Sequence, residues 1–117
     1  MTILAVFLGG GLGSLLRFVL SKFINIDFPL HTLLANVLSC VILALSINYF
    51  SSKIVTSDFW KPFIVIGFCG GFSTFSTFSY ETFTLLKNNQ VVYALLNIGV
   101  SIGFCLFVFY LFKASFK

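Results

Sequence analysis

Charge is nearly absent from this chain, and acid most of all. Of 117 residues, three are Asp or Glu and seven are Lys or Arg, so only 9% are charged. A soluble domain of this length needs far more polar surface than that. The single histidine, His31, stands at the start of an apolar run with no companion at metal-ligand spacing. It therefore offers no metal-dependent or histidine-based catalytic centre. Cysteine is scarce too. Cys40, Cys69 and Cys105 each fall inside an apolar run and read as small buried hydrophobes rather than a disulfide or metal set. Of two prolines, Pro29 and Pro62, each sits where a helix would begin, which suits proline at a first turn. No basic n-region opens the chain, and "MTILAVFLGGGLGSLLRF" continues as a glycine-rich span rather than to a cleavage site. A signal peptide is not expected, and neither is an enzyme.

Hydrophobic residues are what fill the chain, at 59% with a mean hydropathy of +1.09. The solvent this composition suits is lipid. Four apolar spans lie near 3–23, 31–50, 61–86 and 91–112, and about 20 helical residues cross a hydrocarbon core. The expected fold class is an all-α membrane protein with four transmembrane helices, a single domain over 1–117. The third span is longer than a crossing requires, so it must tilt, break or project. The net charge of +4 forms no patch, because Lys22, Lys53, Lys61, Lys87, Lys113 and Lys117 all fall at span edges, where lysine reaches the headgroups. Nucleic acid is not implied as a partner; membrane lipid is. Lys53, Lys61, Lys113 and Lys117 would share one side, Lys22 and Lys87 the other, with Arg17 inside the first span. So small a bias permits insertion both ways round.

Small residues recur at spacing four in every span: Gly9 and Gly13, Ala35 and Ser39, Gly67 and Gly71, Gly99 and Gly103. Such pairs let backbones approach where lipid supplies no hydrophobic drive. Arg17, Asn36, Ser73, Thr77, Glu81, Asn97 and Ser101 fall at or near membrane depth. Four helices alone hide few polar groups, and those groups require protein or a watery cavity around them. At least a dimer is expected.

The stretch "GFCGGFSTFSTFSYE" from Gly67 to Glu81 concentrates this polarity. On a regular helix Ser73, Thr77, Glu81 and Thr84 share one face, while Phe75 and Phe78 share another. Thr32 with Asn36, and Asn97 with Ser101, make two further pairs at spacing four. Interhelical hydrogen bonding and a permeation pathway both produce such ladders. Gly67, Gly70 and Gly71 precede the hydroxyl run, and glycine weakens helix while Ser and Thr compete for its backbone. A break near 70–75 is expected, freeing backbone groups of the kind that bind ions in transporters.

That stretch closely resembles the third-helix signature of the fluoride-specific ion channel family (Fluc, also called CrcB). "GGGLGSLLRF" at 9–18, "TLLANVLSC" at 32–40 and "ALLNIGVSIG" at 94–103 are similar to its first-, second- and fourth-helix motifs, in the same order. The resemblance implies a passive channel that exports fluoride across the cytoplasmic membrane of a bacterium. It implies an antiparallel, dual-topology homodimer with two narrow pores. The pore residues it implies are Asn36, Phe75, Phe78, Ser76, Thr77 and Ser101, with Glu81 near one end. Arg17 takes the place of the first-helix arginine. A structural Na⁺ at the dimer interface would be held by the backbone carbonyls of Gly70 and Ser73. The chemistry is compatible: a small, strongly hydrated anion needs hydroxyl and amide donors to replace water, and phenylalanine edges carry partial positive charge.

Three positions differ from the family pattern. His31 stands for a common glycine, Ser73 for a threonine, and Asn97 for a frequent tyrosine. Some relatives pair non-identical subunits; the intact Asn36, Phe75 and Phe78 favour a homodimer over a heterodimer. The rival readings are a proton-coupled exporter of cationic drugs and a non-transporting scaffold. The exporter needs a carboxylate deep in the first helix, and 3–23 has none; a scaffold leaves three polar ladders unexplained.

Overall fold

The computed structural model describes residues 1–26, 28–52 and 58–112, the side chains of 50–52 excepted. Lys53, Lys113, Lys117, Asp27 and most of the connection after the second span therefore lie outside the described residues. Among the described residues the elements are α1 (Thr2–Phe23), α2 (Leu30–Ser52), a π-helical segment (Pro62–Phe68) continued by α3 (Cys69–Phe72), then α4 (Phe75–Lys87) and α5 (Val91–Leu111). Four stretches are long and apolar enough to cross a membrane, at Thr2–Phe23, Leu30–Tyr49, Pro62–Lys87 and Val91–Leu111. The expected spans agree with these to within two residues at each end. The expected break is present, at Ser73–Thr74.

The break lets one span serve two neighbours. Its first arm, the π segment and α3, packs along α1, whereas α4 packs on α5; α2 touches both arms and α5. The α1 contact is backbone against backbone. A Cβ on Gly9 would meet the Phe63 carbonyl, one on Gly13 the Phe68 carbonyl, and one on Gly71 the Gly10 carbonyl. From the other side, a Cβ on Gly67 would lie 2.8 Å from the Val6 carbonyl. Only glycine allows this approach. In the π segment the Cys69 N–H reaches the Ile64 carbonyl five residues back, widening the turns that meet the α1 glycines.

The glycine pair on α5 behaves differently. Nothing lies within 4 Å of a Cβ built on Gly99 or Gly103, and with Val100, Phe104 and Phe107 they line an unfilled groove of about 450 Å³. The α4 to α5 connection closes by backbone bonding. Asn89 has φ 62°, the Gln90 N–H donates to the Leu85 carbonyl at 2.8 Å and the Asn89 N–H to the Leu86 carbonyl at 3.1 Å. This paired closure needs a left-handed residue, a position asparagine tolerates.

Candidate functional site: the broken third span

Breaking a helix in hydrocarbon strands backbone groups, and those of Thr74 find their partner on another element. That partner is Asn36. Its Oδ1 accepts from the Thr74 N–H at 2.8 Å, and its Nδ2 donates to the Thr74 carbonyl at 3.3 Å. The side-chain amide thus engages both polar groups of one extended residue (Thr74 φ −155°, ψ 125°). One amide N–H of Asn36 is left over for other use.

The diverted donors matter as much as the satisfied ones. In an unbroken helix the Thr74 N–H would go to the Gly70 carbonyl and the Thr77 N–H to the Ser73 carbonyl. Instead the first goes to Asn36 and the second to the Thr74 hydroxyl, at 3.2 Å, which caps α4. Gly70 and Ser73 thereby lose their helical donors. Hard cations bind such carbonyl oxygens. These are the two carbonyls that the family resemblance implies as Na⁺ ligands.

Neighbouring carbonyls are occupied. That of Cys69 accepts from Ser39 Oγ at 2.9 Å, Ser73 Oγ at 2.7 Å and Ser73 N–H at 3.1 Å. That of Gly71 accepts from Arg17 Nε at 3.2 Å and Ser14 Oγ at 3.5 Å. Arg17 Nη1 also donates to Thr77 Oγ1 at 3.5 Å. Arg17 is therefore a bridge between the two arms, placing its positive charge at the C-terminal end of α3, where the helix dipole is negative.

Four of the expected pore residues meet on one cavity. Asn36, Phe75, Phe78 and Ser101 line a space of about 350 Å³ with Ser73, Thr74, Cys40, Cys105, Ile102 and Leu106. No charged side chain is among them. The two phenylalanine rings lie 5.7 Å apart, tilted by 41°. Phe78 is 8% exposed and Phe75 78% exposed, so one ring is held inside the chain and the other stands out from it. Ser101 is buried and donates to Asn97 Oδ1 at 3.3 Å; Asn97 Nδ2 donates to Thr82 Oγ1 at 2.9 Å, and Thr82 donates to the Phe78 carbonyl at 2.8 Å. This relay fixes Ser101 relative to Phe78.

The remaining candidates lie elsewhere. Thr77 faces a second cavity of about 370 Å³ with Arg17, Ser14, Ser21, His31 and Thr32. Glu81 faces a third, of about 490 Å³, with His31, Tyr80, Thr84, Asn88 and Gln90. His31 borders both, and its Nε2 lies 3.2 Å from Glu81 Oε2, while Glu81 Oε1 is buried with no partner among the described residues. Ser76 is exposed, with its Oγ 3.3 Å from Thr74 Oγ1. The face shared by Ser73, Thr77, Glu81 and Thr84 on a regular helix does not survive, because the break puts Ser73 off α4. Gly70 and Gly71 stay helical, and the interruption starts at Ser73.

Three contributors were missed by sequence reasoning. Thr74 carried the signal of a helix-capping residue ahead of a periodic apolar run. Thr82 and the hydroxyl role of Ser39 carried none, since each is read only against a partner on another helix.

Four membrane-length spans, the third of them broken and bordered by small cavities, define a multi-pass membrane protein. The family follows from comparison. A family model described as "CrcB-like protein, Camphor Resistance (CrcB)" matches residues 4–112, and the chain belongs to that family. It is 39% identical over 105 residues to the "Fluoride-specific ion channel FluC" of Flavobacterium psychrophilum, covering 86% of this chain and 85% of that one. It is 47% identical over 102 residues to the protein of the same name from Thermococcus gammatolerans, covering 85% and 82%. With that of Pyrococcus abyssi it shares 42% identity over 103 residues, covering 86% and 84%. These relatives are named as channels rather than enzymes.

Proposed function

We propose that this chain forms a passive, fluoride-selective channel that exports fluoride across the cell membrane. The observation that carries the reading is the convergence of Asn36, Phe75, Phe78 and Ser101 on one uncharged cavity beside the broken span. The relatives' name supplies the ion; the cavity supplies compatible chemistry. Asn36 has an amide N–H to offer, and ring edges of Phe75 and Phe78 carry partial positive charge. Ser101 would have to turn its hydroxyl from Asn97 toward the anion. A neutral lining binds weakly enough to let the ion leave. Arg17 and Thr77, then His31 and Glu81, would form the polar approaches on the far side of the span, and Ser76 the surface between.

The working unit we propose is an antiparallel homodimer of two oppositely inserted copies. Phe75 stands out from its own chain, the Gly99 and Gly103 groove is unfilled, and nothing lies within 4 Å of a Cβ on Gly70. A second copy would cover these surfaces. The Gly70 and Ser73 carbonyls of both copies would hold one Na⁺, whose charge satisfies carbonyl oxygens that the break deprives of donors.

Purified protein in liposomes should discharge a fluoride gradient and hold a chloride gradient. Phe78→Ile should abolish most fluoride efflux while the protein still assembles. Equal discharge of both anions would sink the selectivity claim.

The cation has its own test. A ligand that binds only the assembled state stabilises it by mass action, so dimer lifetime in subunit exchange should be longer in Na⁺ than in a large organic cation. Ser73→Ala keeps the carbonyl and should keep this difference. A methyl on Gly70 meets nothing in its own chain, so loss of the Na⁺ effect in Gly70→Ala would place the damage at the partner. Identical lifetimes in the two cations for the unaltered protein would overturn the Na⁺ proposal.

A further inference from the structure

The cavity lined by Phe75, Phe78 and Ser101 holds two thiols that conduction of an anion does not use. Cys40 comes from α2 and Cys105 from α5; both are free and half-buried, and both line this one cavity. From the sequence all three cysteines read as small buried hydrophobes. Cys69 is 3% exposed and outside this cavity, whereas the other two are half-buried on its wall. They are the soft ligands on an otherwise hydroxyl, amide and hydrocarbon wall.

We propose that Cys40 and Cys105 form a two-thiolate site for a single soft metal cation on the wall of this cavity. Sulfur ligands select polarizable cations over hard ones such as Na⁺ or Mg²⁺. Two thiols on one cavity wall, carried by helices that pack together, can take an ion between them without rearranging a loop. Among the described residues no group of three or more His, Cys, Asp or Glu exists to hold a metal. With two sulfur ligands and no further His, Cys, Asp or Glu on its wall, the site suits a soft ion content with two, such as Hg²⁺, Ag⁺ or Cu⁺.

Binding is substitution, not oxidation. Each S–H bond gives its proton to water and each sulfur lone pair forms one S–metal bond. For Hg²⁺ two thiols and the ion give a neutral bis-thiolate and two released protons. The product ties α2 to α5 and replaces two small thiols by a rigid bridge beside Ser101 and Phe78. Its effect on fluoride rests on the channel reading above; the site itself does not.

The test uses the whole protein in liposomes, treated with Hg²⁺ and washed with a dilute monothiol, which strips singly held mercury before a two-point bridge. The unaltered protein should retain one mercury per chain by elemental analysis. Cys40→Ser and Cys105→Ser should each retain none, with Cys40→Ala and Cys105→Ala as replacements where a serine variant fails to assemble. Cys69→Ala should retain mercury as the parent does. Retention in either single variant, or its loss in Cys69→Ala, overturns the site. Fluoride efflux of the unaltered protein should be lost with mercury and return with a dithiol, while each single variant gives the same efflux with and without the metal. No fluoride efflux before treatment would count against the channel reading and leave mercury retention to decide the site. Retained mercury with undiminished efflux would overturn the closing of the passage.

Discussion

Asn36→Leu should abolish fluoride efflux and destabilise the folded chain, because one side chain holds the break open. Asn36 meets both polar groups of Thr74, at 2.8 and 3.3 Å. Leucine fills similar space and meets neither. An unsatisfied buried donor or acceptor costs about 1–3 kcal/mol each, and no water in the hydrocarbon region takes the place of the lost partner. The chain has one local escape: the Thr74 N–H can return to the Gly70 carbonyl and regularise the helix. That would move Phe75 and Phe78 relative to Ser101 and remove the free carbonyl at Gly70. Either outcome ends conduction. Asn36→Asp separates the clamp from the lining. It keeps the acceptor for Thr74 N–H, so it should assemble better than leucine, but it puts a negative charge on the proposed anion path and should also block efflux. Thermal stability in detergent and efflux from liposomes, measured on both variants, read these two effects apart. Full efflux from Asn36→Leu would mean that the break is held without Asn36.

Gly13→Ala is expected to prevent stable assembly altogether. A methyl group there would run into the Phe68 carbonyl and lie 2.7 Å from the Phe72 N. These are backbone atoms, so no rotamer change relieves the collision; the helices must separate. Overpacking a tight contact costs about 1–3 kcal/mol even where side chains can shift. Separation here would also pull Arg17 from the Gly71 carbonyl, which it reaches at 3.2 Å. Gly11→Ala is the matched control on the same helix. Nothing lies within 4 Å of its added carbon, and alanine favours helix over glycine by about 0.5–1 kcal/mol. The monodisperse fraction after extraction should collapse for Gly13→Ala and persist for Gly11→Ala. Equal yields would show that α1 and the first arm of the third span do not need this approach.

Much of the molecule follows from composition and period alone. Runs of apolar residue at membrane length dictate four spans, since lipid leaves the backbone no partner but its own helix. Gly67 to Thr77 announces an interruption, because glycine and hydroxyl residues weaken the local ladder. The motifs also place Asn36, Phe75, Phe78 and Ser101 as residues to examine. What no stretch of sequence decides is where freed backbone groups go. The break falls at Ser73–Thr74 rather than at the glycines because Asn36, thirty-eight residues away, accepts from Thr74. Gly70 and Gly71 stay helical because their work is different: Gly71 gives α1 its close approach, and Gly70 leaves a face bare. Likewise, Arg17 is only a cation inside the first span until the Gly71 carbonyl and Thr77 are brought within its reach. Local propensity says that a helix is weak; only the neighbours say which of its hydrogen bonds is exchanged, and which carbonyl is thereby set free.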